Sequence, residues 1–306
     1  MKIAVLYGGD SPEREVSLRS GRAVANALKK KGHKIYFIDP AKKNIVKKLT
    51  KIKPDCVFIS LHGGQGEDGT VQGFLEILDI PYTGSGMCAS AICMNKIITK
   101  KILLSHKIPT PKFIEVRKGD RLELPFPFPV VVKPANMGST IGIKIIRNMK
   151  DLPIAIKQCF EIDNEVFIEE YIKGTEVTAG VMGNEKPEIL PVIEIETPSG
   201  FYDYEAKYTC GGSKHIIPAK VNKKTLEKIE SIALNTYKIL GCSGFARMEM
   251  IVKNGVPYML DVNTIPGMTN TSLFPDAAKA IGISFEDLCE KIVMLGLERW
   301  RKQKRE

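Results

Sequence analysis

Residues 244–269 read GFARMEMIVKNGVPYMLDVNTIPGMT, and this stretch decides the architecture of the last third of the chain. Two apolar runs, Gly244–Val252 and Pro257–Val262, flank the polar tripeptide KNG at 253–255. An Asn-Gly pair between two such runs is typical of a β-hairpin turn. The stretch therefore predicts two antiparallel strands followed by a loop rich in turn residues.

Four polar side chains stand at alternate positions of these strands, namely Arg247, Glu249, Asp261 and Asn263. Side chains two residues apart share a face, so the hairpin gathers a cation, two carboxylates and an amide. Burying two carboxylates is costly unless a cation neutralises them, and oxygen ligands without His or Cys suit Mg²⁺ or Mn²⁺. The cluster predicts a divalent metal site shared with substrate phosphates. A salt-bridge network on an exposed sheet face is the alternative.

The first third of the chain alternates strand and helix patterns. The successive segments are residues 2–7, Glu15–Lys29, Lys34–Ile38 and Asp55–Leu61. This order predicts a parallel sheet with helices on its faces, and ligands of such sheets bind beyond the carboxyl ends of the strands. The glycine-rich segments 8–11 and 62–69 follow strands directly, which favours a binding site over simple turns.

The segment SPEREVS at 11–17 has the composition of a helix start. Ser11 is predicted as the N-cap, with Pro12 at the first helical position and acids in the first turn. Capping accounts for only one of the two acids that flank the arginine, so we expect Glu13 or Glu15 to face a bound ammonium group.

In the middle third, the apolar strands Val130–Lys133 and Ile141–Ile146 bracket the loop PANMGST, which predicts a hairpin with a small tip. Lys133 ends an apolar strand, where a buried ammonium group needs an anionic partner such as a nucleotide phosphate. Backbone N–H groups of a glycine-containing tip suit the same ligand. No Walker A pattern is present and no GxGxxG follows the first strand, and an ordinary turn stays open as the alternative.

Further strands are predicted at Glu165–Ile172 and Pro191–Glu196, and a helix at Lys223–Leu240. The polar stretch from Thr197 to about His215 is too long for a simple connection and is typical of a lid or a disordered segment.

The 306 residues carry a formal net charge of +10 and are 43% hydrophobic, which is ordinary globular composition. No apolar run reaches the ~18–20 residues that span a bilayer, so we expect a cytoplasmic protein without membrane contact. The lysines are scattered and lack interleaved aromatics, which favours attraction of phosphate-bearing substrates over nucleic-acid binding. Seven cysteines without a CxxC pair predict reduced, structural thiols.

Five motifs in register resemble the D-alanine–D-alanine ligases of the ATP-grasp superfamily. They are GGDSPEREVSLRSG at 8–21, HGGQGEDG at 62–69, KPANMGS at 133–139, FYDYEAKY at 201–208 and NTIPGMT at 263–269. The resemblance runs from residue 3 to about residue 285, nearly the whole chain.

The resemblance implies an α/β fold that is α+β in its ATP-grasp part. It implies an N-terminal Rossmann-like domain at 1–95 with a parallel βαβ sheet, a central ATP-grasp domain at 96–180, and a C-terminal ATP-grasp domain at 181–306 that carries a long loop at about 197–215. ATP then lies between two antiparallel sheets. The implied reaction joins two D-alanines through a D-alanyl phosphate, releasing ADP and phosphate, for peptidoglycan precursors. A homodimer is also implied.

The resemblance also implies the site residues, position by position. ATP is contacted by Lys96, Lys133, Glu169, Ile172, Glu176 and Lys207, and two Mg²⁺ or Mn²⁺ ions by Glu249, Asp261 and Asn263. The substrates are bound by Glu13, His62, Ser272 and Leu273, and the catalytic set is Glu13, Ser139, Tyr208, Arg247 and Gly267. In this set, Arg247 and the Gly267 N–H stabilise the tetrahedral oxyanion, and Tyr208 bridges Glu13 to Ser139.

One position pair departs from the family pattern, which usually has Asp in place of Glu249 and Glu in place of Asp261. One change lengthens a carboxylate side chain by a methylene group and the other shortens one, so the summed length of the two side chains across the metal pair is nearly preserved. We interpret the two changes as a compensated swap. Which carboxylate bridges both ions, and whether Mn²⁺ is preferred, stays open.

Other functions explain less of the sequence. A dehydrogenase would need a GxGxxG motif after the first strand, where this chain has GGDSPE. A non-catalytic nucleotide-binding or nucleic-acid-binding protein explains the charge but not the polar cluster on the hairpin. Within the superfamily, a ligase that joins D-alanine to D-lactate or D-serine is the alternative. Tyr208 favours D-alanine as the second substrate.

Overall fold

The computed structural model describes residues 1–42, 44–120, 122–197, 212–269 and 271–304. Within these ranges the strands form one parallel sheet and two antiparallel sheets. The predicted α/β class is confirmed. Most of the loop predicted at 197–215, including Lys207 and Tyr208, lies outside the described residues.

The first sheet has the order β2-β1-β3 and is parallel throughout. Its strands are β1 (Lys2–Leu6), β2 (Lys34–Ile38) and β3 (Cys56–Ile59). The helices of this part are α1 (Arg14–Lys30), α2 (Ile45–Ile52), α3 (Thr70–Ile77) and α4 (Met87–Met94). β3 is buried at every position, which explains why its sequence is continuously apolar rather than alternating.

The start of α1 corrects one prediction. The helix begins at Arg14 with Glu13 at the N-cap, so Ser11 does not cap it and Pro12 is not helical. The Ser11 hydroxyl instead donates to the carbonyl oxygen of His62 and accepts the Glu13 N–H at 3.2 Å. This turn follows the carboxyl end of β1 and places Glu13 beside the glycine-rich segment after β3.

The second sheet is antiparallel, with the order β4-β7-β5-β6. Helix α5 (Lys96–Ser105) precedes β4 (Phe113–Val116), β5 (Val130–Pro134), β6 (Lys144–Ile146), helix α6 (Leu152–Phe160) and β7 (Val166–Glu170). β5 pairs with β6, with Val130 opposite Ile146, so the predicted hairpin around the PANMGST loop is confirmed. The core under this sheet includes Val132, Ile168 and Leu152.

The third sheet has the order β11-β10-β8-β12-β13, with β9 paired to β8. Its strands are β8 (Thr175–Met182), β9 (Glu188–Ile189), β10 (Ile193–Glu196), β11 (Lys214–Ile216), β12 (Phe245–Lys253) and β13 (Val256–Asn263), and helix α7 (Lys223–Ile239) packs against it. The hairpin predicted from KNG is confirmed, since Asn254 and Gly255 have φ values of 52° and 71°. Positive φ at both central residues is what a tight hairpin turn needs.

Strand β8 spans the position at which the sequence places one domain boundary. The limit placed between residues 180 and 181 falls inside β8, yet all eight residues from Thr175 to Met182 pair with β12. Because hydrogen bonding along a whole strand ties it to its sheet, β8 belongs to the third sheet. The division between the second and third sheets therefore falls between Glu170 and Thr175.

The last two helices, α8 (Leu273–Ala280) and α9 (Phe285–Gln303), join the two ends of the chain. α9 packs on α1, and Leu28, Ile292 and Phe245 lie in one hydrophobic core that the first and third sheets share. Across the described ranges, no helix combines the length and the apolar character needed to span a bilayer.

Candidate active site

Two adjoining cavities lie among the three sheets. The outer cavity, about 520 Å³, is walled by the second and third sheets, and the inner cavity, about 90 Å³, is walled by the loops after β1 and β3, the β5–β6 hairpin and the segment before α8. Lys96, Glu249 and Asp261 line both cavities. The outer cavity has the size of a cofactor or nucleotide site. The shared residues place the two cavities side by side, and together they are called the cleft.

The outer cavity contains five of the six side chains predicted for ATP. They are Lys96, Lys133, Glu169, Ile172 and Glu176, and the sixth, Lys207, lies outside the described residues. Lys96 comes from α5, Lys133 from β5 and Glu169 from β7. Ile172 lies in the connection between β7 and β8, and Glu176 on β8.

Lys133 has an anionic partner inside the protein. Its Nζ lies 2.5 Å from Oε1 of Glu169, and Nζ of Lys100 lies 2.8 Å from the other carboxylate oxygen. All three side chains are buried. Burial by itself raises the pKa of Glu169, but the charges and hydrogen bonds of the two lysines outweigh burial, and its pKa is lowered from 4.5.

Lys96 connects the hairpin tip to the third sheet. Its backbone N–H donates to the Ala135 carbonyl at 3.0 Å, and its Nζ donates to the Met137 carbonyl at 2.9 Å and lies 3.4 Å from Oδ2 of Asp261. At the tip, Ser139 and Thr140 have φ values of 51° and 64°. Such angles are uncommon outside glycine and are strained for the β-branched Thr140.

In the inner cavity, the first sheet meets the hairpin at Glu13. The Ser139 hydroxyl donates to Oε1 of Glu13, which is 5% exposed, whereas Glu15 points to solvent. A Cβ at Gly63 or Gly138 would lie 2.8 or 2.9 Å from Oε2 of Glu13, so the carboxylate sits against backbone that only glycine allows. Of the two candidate acids, the fold therefore directs Glu13 into the cleft.

His62 lies in the same cavity and is tied to two loops. Its Nε2 is 3.3 Å from the Ser20 hydroxyl, which also accepts the Met268 N–H at 3.3 Å, and its Nδ1 is 3.8 Å from Oε1 of Glu67. Glu67 accepts the Gly63 N–H at 2.9 Å. Ser20 and Glu67 are not among the site residues predicted from the sequence, although both lie inside motifs that carry the family resemblance.

The four polar side chains of the β12–β13 hairpin converge as the sequence predicts. In the strand register, Arg247 is opposite Asn263 and Glu249 is opposite Asp261. Nη2 of Arg247 donates to Oε1 of Glu249 at 2.7 Å, and Nη1 donates to the Thr178 hydroxyl at 3.1 Å. Arg247 is only 9% exposed, which excludes the alternative of an exposed surface network.

The same cluster has the donor set of a hard divalent cation. It offers two carboxylates and one amide oxygen, and backbone N–H groups at 3.0 and 2.9 Å orient Oδ1 of Asp261 and Oδ1 of Asn263. In the part of the chain that the structure describes, no group of three or more His, Cys, Asp or Glu forms a metal site. The oxygen-only donors of this cluster nevertheless fit Mg²⁺ or Mn²⁺ shared with phosphate oxygens.

The loop that precedes α8 closes the inner cavity. Ser272 is the N-cap of α8 and Leu273 its first residue, where the helix favours an anion. The Ser272 hydroxyl accepts the Thr269 N–H at 3.0 Å, and a Cβ at Gly267 would lie 2.9 Å from that hydroxyl. All three predicted residues of this loop, Gly267, Ser272 and Leu273, line the inner cavity.

Comparison with known proteins decides the family. Residues 102–294 match the family model described as "D-ala D-ala ligase C-terminus", and residues 2–54 and 40–85 match the one described as "D-ala D-ala ligase N-terminus". The chain belongs to the D-alanine–D-alanine ligase family. A member of this family, the D-alanine–D-alanine ligase of Carboxydothermus hydrogenoformans, is 52% identical over 314 residues, which cover 99% of this chain and 100% of the relative.

Two further family members extend the comparison. The D-alanine–D-alanine ligase of Moorella thermoacetica is 50% identical over 97% of this chain and 100% of its own. The crystal structure of the Bacillus anthracis D-alanine–D-alanine ligase complexed with ATP superposes with a TM-score of 0.87 at 37% identity, covering 99% of each chain. The fold similarity therefore extends over all three sheets.

Proposed function

We propose that this chain joins two D-alanines into D-alanyl-D-alanine at the expense of ATP, by way of a D-alanyl phosphate, and supplies peptidoglycan precursors in the cytoplasm. The observation that carries the proposal is the junction of the two cavities at Lys96, Glu249 and Asp261. A nucleotide in the outer cavity directs its phosphates to this junction, and the inner cavity has room for small amino acids.

Nucleotide binding divides among the residues of the outer cavity. Glu169 and Ile172 take the adenine, Glu176 the ribose, and Lys96 and Lys133 the phosphates. Glu249, Asp261 and Asn263 would hold Mg²⁺ or Mn²⁺, which would supply orientation of the phosphates and neutralisation of their charge. We also expect two such ions and a homodimer, as the family resemblance implies.

The first half-reaction activates one D-alanine. Glu13 pairs with the ammonium group of this substrate, near His62, so that the substrate carboxylate faces the junction. One carboxylate oxygen attacks the γ-phosphorus, the bond to the β-phosphate oxygen breaks, and ADP leaves. Holding nucleophile and phosphate in adjoining cavities is itself a large part of the rate enhancement.

The second half-reaction forms the peptide bond. The Ser272 hydroxyl and the Leu273 N–H bind the carboxylate of the second D-alanine at the start of α8, and its amine attacks the acyl carbon. Arg247 and the Gly267 N–H stabilise the oxyanion; one such donor is typically worth ~3–4 kcal/mol. The tetrahedral intermediate then expels phosphate and loses a proton from nitrogen.

The test is phosphate release from Mg·ATP with D-alanine, L-alanine, D-serine, or D-alanine plus D-lactate, with the products identified by mass. Release with D-alanine alone that yields the dipeptide supports the proposal. A mixed D-alanyl-D-lactate product at neutral pH contradicts D-alanine as the second substrate. If no substrate gives phosphate release in either Mg²⁺ or Mn²⁺, the whole proposal is contradicted. Glu13→Gln should raise the KM for D-alanine, whereas the matched exposed change Glu15→Gln should not.

A further inference from the structure

One buried lysine beside the cleft has no role in the reaction described above. Lys100 lies on α5 one turn after Lys96, and its side chain is 1% exposed. Its Nζ donates to the Thr110 hydroxyl at 2.7 Å and to Oε2 of Glu169 at 2.8 Å. The Nζ also lies 5.3 Å from the centre of the Phe113 ring. A lysine is almost never buried so fully unless it is paired.

The charges around Glu169 do not cancel. Lys100 on α5 and Lys133 on β5 both contact the carboxylate of Glu169 on β7. Asp261 on β13, whose charge also acts on Lys100, is itself 3.4 Å from Lys96. Burying an excess cation is costly unless an anion joins it. Two lysines sharing one carboxylate leave an excess of positive charge at Glu169, and we expect an anion in the outer cavity to draw one lysine from it.

The two lysines are not equivalent in this respect. Lys133 lines the outer cavity, whereas Lys100 is not part of its wall. Lys100 is instead held by Thr110, whose hydroxyl accepts a hydrogen bond from Nζ and donates one to the Met259 carbonyl at 2.9 Å. Lys133 can turn toward a phosphate, while Lys100 stays anchored between the second sheet and β13.

We propose that Lys100 is a positioning residue that remains with Glu169 as its counter-charge when Lys133 turns to the nucleotide phosphates. The inference rests on the proposed ATP site. Lys100 then keeps Glu169 ionised, and Oε1 of Glu169 becomes available to accept a hydrogen bond from the exocyclic amino group of adenine. Guanine presents a carbonyl oxygen at that place, which an ionised carboxylate repels, so Lys100 also supports the choice of base.

The electrostatics of the pair agree with this geometry. Burial lowers the pKa of Lys100 from 10.5 despite the opposing charge of Glu169, and the pKa of Glu169 is lowered in spite of its burial. With Lys100 removed, Lys133 becomes the only contacting cation of Glu169 among the described residues. When that lysine moves to a phosphate, the buried carboxylate has to take up a proton.

The experiment measures proton uptake on nucleotide binding in the absence of D-alanine. ATP is titrated calorimetrically into wild type and Lys100→Met in two buffers of different ionisation enthalpy. We expect almost no uptake by wild type, uptake approaching one proton by the variant, and an ATP dissociation constant raised about tenfold or more. Lys101→Met is the matched control, because the Lys101 side chain is 56% exposed and pairs with Glu115 at the surface.

Two further variants keep the test decisive if Lys100→Met folds poorly. Lys100→Gln retains a hydrogen-bond donor without charge and should behave like Lys100→Met; wild-type affinity and proton count in it would overturn the inference. Adding Glu169→Gln to Lys100→Met should abolish the proton uptake, and persistent uptake would also overturn it. Steady-state rates should show a higher KM for ATP with kcat changed less than about threefold.

The same experiment separates the two proposals. If wild type binds ATP but releases no phosphate with D-alanine, the proposed function fails while the proton count still tests Lys100. If wild type forms the dipeptide and Lys100→Met matches it in both affinity and proton uptake, the function stands and the role of Lys100 is refuted.

Discussion

Glu249 and Asp261 face each other across β12 and β13, so the longer carboxylate side chain stands on β12 and the shorter one on β13. The family pattern that the sequence resembles implies the reverse arrangement. Because the two residues are directly opposite, lengthening one side and shortening the other keeps the distance that the pair spans. The register thus supplies the geometry that a compensated swap requires.

This swap leads to a first prediction at the residue scale. Glu249→Asp leaves two short carboxylates and should lower kcat by about tenfold to a hundredfold, since a shift of about 1 Å in a reacting group costs that much. Adding Asp261→Glu should restore most of the loss. Phosphate release titrated with Mg²⁺ and with Mn²⁺ measures both. Higher activity of Glu249→Asp alone in Mg²⁺ would refute the compensation.

A second residue-scale prediction concerns Arg247, which is held by Thr178 and Glu249. Arg247→Met should lower kcat by about 10²–10³-fold with little change in the KM for ATP, because the guanidinium acts on charge that develops in the transition state. Thr178→Val removes one hydrogen bond and should have a smaller effect, and Thr178→Ser should have almost none. A change confined to the KM for ATP would contradict the oxyanion role.

At the scale of elements, the junction of α4 and α5 holds the base of the β5–β6 hairpin. Oδ1 of Asn95 caps α5 by accepting the Ile98 N–H at 3.0 Å. Its Nδ2 donates to Oδ1 of Asn136 at 3.0 Å and to Oε2 of Glu165 at 2.7 Å. One side chain therefore sets the start of the helix that carries Lys96 and also anchors the loop that carries Ser139.

From this double role we predict that Asn95→Ala lowers the free energy of unfolding by about 1 kcal/mol or more and also raises the KM for ATP. The matched control is Asn222→Ala, because Asn222 caps α7 in the same way, accepting the Thr225 N–H at 2.9 Å, and is not part of the cleft wall. Asn222→Ala should lower the free energy of unfolding by about 1 kcal/mol and leave the KM for ATP unchanged. Urea unfolding and steady-state kinetics check both. Equal KM values in the two variants would contradict the anchoring role.

At the scale of the whole molecule, ion pairs join α9 to the end of α1. Lys31 lies 2.7 Å from Asp287 and 3.0 Å from Glu290, and Lys30 lies 2.8 Å from Glu286. Hydrogen bonds from these lysines lower the pKa of all three carboxyl groups below their ordinary values, 3.8 for Asp287 and 4.5 for the two glutamates. A carboxyl group with a lowered pKa stabilises the fold above its ordinary pKa and loses that contribution as the pH falls through the folded-state pKa.

We therefore predict that the free energy of unfolding falls as the pH drops below about 4.5, and that replacing Glu286, Asp287 and Glu290 by their amides flattens this fall. Urea unfolding between pH 7 and pH 3 measures both curves. At pH 7, about 1 M salt should narrow the difference in the free energy of unfolding between wild type and the triple amide variant, because salt screens exposed ion pairs. Identical pH curves for the two proteins would show that these pairs do not hold the chain ends together.

Prediction from sequence succeeded where the signal was local and failed where it was not. The KNG turn and the alternation around it predicted the β12–β13 hairpin, whereas a register irregularity between Glu249 and Met250 is what sets Glu249 opposite Asp261. The start of α1 was wrong because Ser11 bonds to His62, a partner 51 residues away. Lys100 was missed, although its spacing of four from Lys96 puts both on one side of α5 and was a usable signal.

By itself, the sequence determined the order of strands and helices, the hairpins, and the motifs that mark the family, because turn chemistry and side-chain alternation act between near neighbours. Only the tertiary structure decided that β8 joins the third sheet, that α9 closes on α1, and that Glu169 lies between two lysines. Those outcomes depend on which faces of distant segments bury each other and on where buried charges find partners. Such partners, 69 residues apart for Lys100 and Glu169, meet only when the sheets pack.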